Sequence, residues 1–433
     1  MRGIGRVSAF LVILGLTACA GAVTASWTGL GGDSSWSTAA NWSTGIVPNL
    51  SSTDVVIGDA APSTISLNSA SNVLLKSLTI TKSSDLTIAK GTGAGAIIEI
   101  YSNAPVVYNP GNASTFIVDS TITYLWNGAT NGPPASKDPV YEVDGQATYR
   151  SQTLNWAVKT GTLSFTKTGT GTYWAKDNAA TSQNTFPSTV TISAGKLAIG
   201  RGQSGDTAVL GPLTKGTTVT VNIASGATFE FDGLPGYNDS NKSTGTGTAN
   251  GILGNFAGSG TINMAGIAVN ANTMIAPGCM FSPGVTTASG SGVLSLQGNL
   301  TFALVPTTTS TTAAGTAGKA CSLNIDIPAG SIGMTPGVDF DQLAVTGTVS
   351  TIGNCDLIVN GTGAVAGNSY AFLTSANDLS AASFKSVAVS NTALPYAVAP
   401  IASGLGYQIT FTPEPATLSV LVLGGLAMLK RKS

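Results

Sequence analysis

Short runs of alternating apolar and polar residues fill most of this chain. The clearest runs are 189–200, 218–223 and 226–231, and each unit joins two such runs through a glycine or a polar turn. Residues that alternate in this way form β-strands with one buried face. About thirty residues separate the clearest neighbouring units, a period typical of repeats that bury a core only by stacking on one another. The pattern therefore predicts an all-β, elongated solenoid.

The alternation is uneven along the chain. It begins near residue 53, is weaker at 101–150, where several prolines predict long loops, and is plain again from Gly161. The segment 304–320 is rich in Thr, Ala and Gly, and strand patterning resumes at Ser322. We therefore predict that 304–320 is a loop that leaves one coil, between β-helix repeats at 61–303 and C-terminal coils at 321–411.

Composition agrees with many short strands joined by tight turns, because Gly is abundant at 54 residues and charged residues are 9% of the chain. Ordinary soluble domains carry about 25% charged residues. The net charge of −1 gives no attraction to nucleic acid or to an anionic membrane. We expect no nucleic-acid partner.

The first 25 residues have the order of a secretory signal peptide with a signal helix. Arg2 and Arg6 precede an apolar run at 7–16, and small residues follow. Two small-x-small sites occur, ending at Ala22 and at Ala25, and we predict cleavage after Ala25. The sequence around Cys19 resembles a lipobox, which implies lipidation of Cys19 as the alternative.

The last 22 residues form a second targeting segment. Pro413, Glu414 and Pro415 precede an uncharged apolar stretch at 416–429, which three basic residues, Lys430, Arg431 and Lys432, and then Ser433 follow. Prolines favour an extended backbone, and as a helix the apolar stretch would span about 21 Å of the membrane. The basic end is expected to stay cytoplasmic.

This three-part order at 412–433 resembles the PEP-CTERM sorting tail of bacterial exported proteins. The resemblance implies a single transmembrane sorting helix and an exosortase-like membrane enzyme that recognises the Pro-Glu-Pro motif and removes the helix. It also implies transit through the inner membrane, with transient contact through 416–429, to the cell surface or exterior. A plain membrane anchor is the alternative.

A tryptophan-rich segment opens the region after the signal, at 26–60. Trp27, Trp36 and Trp42 lie close together with few other apolar residues nearby. Large rings in such a setting favour a cap that covers an open end of the core, and the alternative is a platform that contacts a glycan. The W-x-G…W…NW…P order resembles the N-terminal segment of autotransporter-type surface proteins.

Several repeats add to that resemblance. Residues 161–211 resemble the passenger-associated repeat of autotransporters, and 275–278, 281–284 and 339–347 resemble further passenger segments. The resemblance implies a right-handed parallel β-helix. A β-sandwich, or several small ones, is the alternative that the residues themselves leave open.

Candidate chemistry is sparse. The chain contains no His, which excludes His-dependent nucleophiles and His-containing zinc sites. The pairs Glu230/Asp232 and Asp339/Asp341 each lie on one face of a strand, which suits structure better than opposed acid and base, although the second pair would suit calcium if other oxygens converged. We predict no catalytic residue, no metal site and no cofactor. Three cysteines follow the signal, and their pairing stays open.

These features together predict an exported, exosortase-sorted β-helix protein. Its expected role is structural or adhesive, at the cell surface or in an extracellular matrix or biofilm, with exopolysaccharide as the expected partner. A glycan-binding module that uses the tryptophans is the first alternative. An enzyme that acts on polysaccharide on the same fold is the second, and the low charge and missing His place it last.

Overall fold

The computed structural model describes a body of strands and not the chain ends. The described residues are 23–68, 73–92, 97–100, 106–109, 115–118, 123–126, 140–143, 148–151, 156–158, 164–175, 185–186, 189–199, 207–209, 211–212, 219–231, 234–236, 254–264, 273–277, 279–284, 291–304, 320–330 and 333–413. The strands are numbered below in chain order.

Two sheets of 13 strands each run the length of the body. The first sheet consists, in spatial order, of β1 (Val23–Ser26), β2 (Thr53–Ile57), β5 (Ser77–Ile80), β8 (Val106–Tyr108), β11 (Val140–Val143), β14 (Ser164–Thr168), β17 (Thr189–Ile192), β21 (Val219–Ile223), β24 (Gly254–Gly258), β27 (Met280–Pro283), β30 (Cys321–Asp326), β33 (Cys355–Asn360) and β35 (Ser386–Ser390). The second sheet consists of β3 (Thr64–Leu67), β6 (Leu86–Lys90), β9 (Thr115–Val118), β12 (Thr148–Ser151), β15 (Thr172–Ala175), β18 (Lys196–Ile199), β22 (Thr228–Phe231), β25 (Thr261–Asn263), β28 (Val293–Gln297), β31 (Gln342–Val345), β34 (Ser369–Thr374), β37 (Gly406–Phe411) and β36 (Tyr396–Pro400).

Shorter sheets hold the remaining described strands. One joins β13 (Trp156–Val158), β10 (Thr123–Trp126), β7 (Ile97–Ile100) and β4 (Val73–Leu75), and another joins β26 (Thr273–Pro277), β29 (Asn299–Ala303) and β32 (Val349–Ser350). Two pairs complete the set: β16 (Thr185–Phe186) with β20 (Gly211–Pro212), and β19 (Thr207–Val209) with β23 (Leu234–Gly236). Single 3₁₀ turns occur at Ala39–Asn41 and Ile352–Asn354.

Neighbouring strands of the first sheet are parallel and, beyond the first pair β1 and β2, are separated in sequence by strands of the other sheets. Each circuit of the chain therefore adds one strand to the first sheet and one to the second, directly upon the strands of the previous circuit. Parallel strands need such crossover connections. The expectation of an all-β fold is confirmed, and the parallel sheets are compatible with a β-helix.

The core is a set of apolar ladders between the sheets. One ladder runs through register partners of the first sheet, all of them fully buried: Phe165, Val190, Val221, Phe256, Phe281, Leu323 and Leu357. Because side chains alternate between the two faces of a strand, the residues on either side of each ladder position point outward. The alternation in the sequence therefore reflects which residues face the core and which residues face outward.

The last coils differ from expectation. We expected C-terminal β-helix coils through residue 411, but β37 is antiparallel to both β34 and β36. That part of the expectation is wrong because the chain reverses at 401–405 to form a hairpin on the second sheet. The long insertion before Ala320 does not end the stack, since β27 and β30 pair in parallel across it.

The weakly patterned region 101–150 also contributes to the stack. Its described strands β8, β9, β11 and β12 pair in parallel within the two long sheets. No helix in the described part of the chain is long and apolar enough to cross a membrane. The predicted signal helix and sorting helix lie outside the described residues.

The first strand bears on where a signal peptide would be cut. Residues Val23 to Ser26 form β1 and pair in parallel with β2, and Ala25 is buried against the core. Cleavage after Ala25 would remove most of this strand, whereas cleavage after Ala22 would leave it whole.

We therefore expect the mature protein to begin at Val23, in place of the Ala25 site favoured by the sequence alone. N-terminal sequencing of the secreted protein checks this. A mature chain that begins at Ser26 would contradict the expectation, because it would lack the strand that covers β2.

Candidate binding surface

The outward positions of the first sheet form two parallel rows. On β17, for example, Val190 and Ile192 are buried while Thr189 and Thr191 face outward. The polar face is defined here as these two rows from β14 to β35. The first row is Thr189, Thr220, Asn255, Met280, Ser322, Asp356 and Ser386; the second is Thr166, Thr191, Asn222, Ala257, Ser282, Asn324, Ile358 and Ala388.

Ten of the fifteen residues of the polar face carry a hydroxyl or an amide group, while Met280, Ala257, Ile358 and Ala388 are apolar, and Ala257 and Ser282 are buried. Among the residues of the two rows, only Asp356 carries a charge. Its carboxylate accepts a 2.7 Å hydrogen bond from the Ser386 hydroxyl on the next coil. The surface therefore offers both hydrogen-bond donors and acceptors and, among the residues of the two rows, a single charge.

Neighbouring coils are tied together along these rows. The Asn324 amide donates to the Ser282 hydroxyl at 3.0 Å, and the Asn255 amide donates to the Thr220 hydroxyl at 3.3 Å. Strands lie about 4.8 Å apart, and residues two apart on one strand lie about 6.6 Å apart. The polar groups are thus fixed on a regular grid along the body.

The outward side of the second sheet has a different chemistry. Lys196 and Glu230 form an ion pair at 2.9 Å, and the Asn263 amide donates to the same carboxylate at 2.7 Å. A partly exposed pair of this kind contributes at most about 1 kcal/mol. Glu230 is engaged by its neighbours as a structural group, and its predicted companion Asp232 lies outside the described residues.

The three predicted tryptophans do meet in space, but in the interior. Trp27, Trp36 and Trp42 are 3%, 0% and 2% exposed, and Trp42 makes edge-to-face contacts with the other two at centroid distances of 5.0 and 4.7 Å. The Trp42 indole N–H donates to the Trp36 carbonyl at 2.8 Å. In this arrangement no ring offers a face to a sugar, and the cluster covers the first coil.

A polar loop holds this cap closed. The carboxylate of Asp33 accepts hydrogen bonds from the Thr38 hydroxyl at 2.7 Å, the Ser35 N–H at 3.0 Å and the Asn41 amide at 2.6 Å. These bonds, with that from Thr38 foremost, lower the pKa of Asp33. The loop therefore remains tied at neutral pH, when Asp33 is ionised.

The carboxylates of the predicted acidic pair, Asp339 and Asp341, accept hydrogen bonds from backbone N–H groups. Asp339 accepts from the Thr335 N–H at 3.0 Å, while Asp341 accepts from Gly292 N–H at 2.9 Å and from Asp326 N–H at 3.0 Å. Asp341 thus ties the backbone of its own coil, at Asp326, to that of the preceding coil, at Gly292. Within the described ranges, no group of three or more His, Cys, Asp or Glu residues is placed to hold a metal ion.

The cysteines form a stack that the sequence does not reveal. Cys321 and Cys355 are register partners, and the Ser322 N–H donates to the Cys279 carbonyl at 2.9 Å, which places Cys279 beside Cys321 on the preceding coil. All three are buried, and no disulfide joins them in the structure. Their irregular spacing in sequence gave no signal, because the intervening loops differ in length.

The remaining predicted site residues lie at the chain ends. Pro413 is the last described residue, one position beyond Thr412, whose N–H donates to the Pro395 carbonyl at 2.8 Å. Glu414, Pro415, Lys430, Arg431 and Lys432 lie outside the described residues, as does Cys19.

The burial of Asp341 predicts that the stability of the protein depends on pH. Burial raises the pKa of Asp341 to about 7, against the lowering effect of its two backbone hydrogen bonds. Between about pH 4 and pH 7 the folded chain therefore binds a proton that the unfolded chain releases, and the free energy of unfolding falls as pH rises through this window. The Asp341→Asn variant cannot titrate at this position and loses one hydrogen-bond acceptor. Its free energy of unfolding at pH 5 should therefore be lower than that of the wild type by about 1–3 kcal/mol.

We expect the stability difference between wild type and Asp341→Asn to narrow from pH 5 to pH 8. Urea unfolding at several pH values measures it. A difference that stays constant across this range would mean that Asp341 is already ionised in the folded protein at pH 5.

No protein-family model, curated protein or solved structure matches this chain in the comparisons made with them. The resemblances of the tail, the cap and the repeats therefore remain predictions.

Proposed function

We propose that this chain is an exported structural protein whose body is a right-handed parallel β-helix that adheres to extracellular polysaccharide. The observation that carries the proposal is the polar face, two rows in which hydroxyl and amide groups predominate and which are fixed at the spacing of the coils. The protein would work as a scaffold in a matrix or biofilm, without catalysis of its own.

Neutral polysaccharide suits this surface for a chemical reason. Sugar hydroxyls both donate and accept hydrogen bonds, and so do the Thr, Ser and Asn side chains of the two rows. A repeating ligand can meet a repeating surface at many weak contacts, whose combined affinity far exceeds that of any single contact. Polyanions have no cluster of basic residues to meet on this face.

The described carboxylates support a structural role over a catalytic one. Asp341 is buried and bound by two backbone N–H groups, and Glu230 is held by Lys196 and Asn263. Hydrolysis of a glycosidic bond needs two opposed carboxyl groups that face the substrate. These two groups lie on different coils and already have partners.

Export and sorting by an exosortase-like enzyme are part of the proposal. The folded body closes at Thr412, whose N–H and hydroxyl both donate to the Pro395 carbonyl. The Pro-Glu-Pro motif begins at the next residue, and Pro413 is exposed. This exposed start supports a processing signal at 413–415.

Substitution on the polar face tests the ligand. Thr189→Glu with Thr220→Glu places two carboxylates on neighbouring coils of the first sheet, and we expect binding to insoluble neutral β-glucan to weaken about tenfold, since unmatched charges must be desolvated on contact. Co-sedimentation of the purified protein with the glucan measures the bound fraction.

The matched control is Thr228→Glu with Thr261→Glu, which makes the same change at register partners on the outward side of the second sheet. This control should bind as the wild type does. Equal loss in both variants, or no binding by the wild type to neutral or acidic polysaccharide, would overturn the proposal.

The tail has its own test. Replacement of Pro413, Glu414 and Pro415 by Ala removes two helix-breaking residues and lets the apolar helix extend upstream. We expect this variant to accumulate uncleaved in the inner membrane, seen by fractionation and by mass spectrometry of the C terminus. Truncation after Thr412 is the control and should be released into the periplasm. Normal maturation of the triple-alanine variant would mean that the tail is an ordinary anchor.

A further inference from the structure

The two ends of the stack are closed differently. At the N-terminal end, the buried tryptophan cluster covers the first coil. At the C-terminal end, the second sheet continues into the β36–β37 hairpin, while the first sheet stops at β35. In the part of the chain that the structure describes, β33 is the one strand that pairs with β35.

The interior of the first sheet is incompletely covered at β35. Its apolar ladder is fully buried from Phe165 through Leu357, but the next member, Val387, is only half-buried. Val389 beside it is half-buried as well. Stacked repeats lose stability and solubility where a terminal coil leaves its apolar side uncovered. Among the described residues, no strand covers this edge of the core beyond β35.

The backbone of β35 is prepared to accept such a strand. The Gly361 N–H donates to the Ser390 carbonyl at 2.9 Å, which directs Ser390 towards β33. Backbone groups of alternate residues point to the same edge of a strand. Val387 and Val389 therefore direct their N–H and C=O groups to the opposite edge, away from β33.

The sequence of β35 is the same in both directions: Ser-Val-Ala-Val-Ser. If two copies pair antiparallel about Ala388, Val387 lies opposite Val389 of the second copy, and Ser386 lies opposite its Ser390. Each pair of valines would exchange two backbone hydrogen bonds. Lys385 would face Asn391 of the second copy, so the two lysines would not meet.

We propose that β35 is a dimerisation edge, through which two copies of this chain join their first sheets by antiparallel, two-fold symmetric pairing. A self-complementary strand fits a second copy better than an unrelated peptide, because each half of the interface satisfies the other. The pairing continues the sheet and covers Val387 and Val389. It also prevents open-ended aggregation, the usual hazard of an exposed strand edge.

The register of the proposed pairing between two β35 strands can be tested by substitution of the two exposed serines, Ser386 and Ser390. Ser386→Lys with Ser390→Lys places like charges opposite each other at two symmetry-related points, and this variant should dimerise at least about tenfold more weakly than wild type. Ser386→Lys with Ser390→Glu changes the same positions but places opposite charges together, and it should dimerise as well as wild type or better. Sedimentation velocity of the purified full chain over a range of concentrations measures both.

A third variant removes only a backbone hydrogen-bond donor of the proposed interface. Val389→Pro deletes one N–H on the open edge, where proline is tolerated because the bonds to β33 are untouched. It should be monomeric with an unchanged circular dichroism spectrum, whereas Val389→Ala should still dimerise.

A wild type that is monomeric throughout, that forms open-ended polymers, or whose two charged variants behave alike would overturn the proposal. The outcome is independent of glycan binding and of tail processing, since neither is measured.

Discussion

The register between parallel strands is the constraint on which this structure depends. Each circuit places its strand directly upon the previous one, so one residue of every circuit contributes to the same ladder. A shift of one residue would exchange inside and outside along a whole strand. Val190, Val221 and Phe256 therefore stay buried together, and their polar neighbours form a continuous outer row because the inner row is fixed.

Low charge follows from the same constraint. Like charges on successive coils would stand about 4.8 Å apart in a ladder and would repel one another. Two acidic residues of the described body serve local geometry: Asp33 ties the cap, and Asp341 ties two neighbouring coils. The result is a polar face with few charges, and this is the basis of our proposal of a neutral, hydroxyl-rich partner.

The two ends of such a stack must be covered by something other than a further coil, because the terminal coil otherwise leaves its apolar side uncovered. The first coil is covered by large rings whose polar atoms mostly find partners within the cap. The last coil uses a reversal of direction, in which β36 and β37 leave the parallel pattern and cover one sheet. The first sheet ends on a strand, β35, with two half-buried valines. This difference between the two sheets leaves the edge at which we propose that a second copy of the chain pairs.

Local sequence determined the strand class and the absence of His-dependent chemistry. Alternation has a period of two and needs only neighbouring residues, so the burial of Val190 and Ile192 and the exposure of Thr189 and Thr191 could be predicted from the chain. Register could not be predicted, because it joins residues separated by loops of unequal length. Cys321 meets Cys355, and Asp341 reaches Gly292, only once the coils are stacked. The tryptophans show the same limit: a cluster of rings was visible in the sequence, but whether their faces met water or one another was decided by the core on which they close.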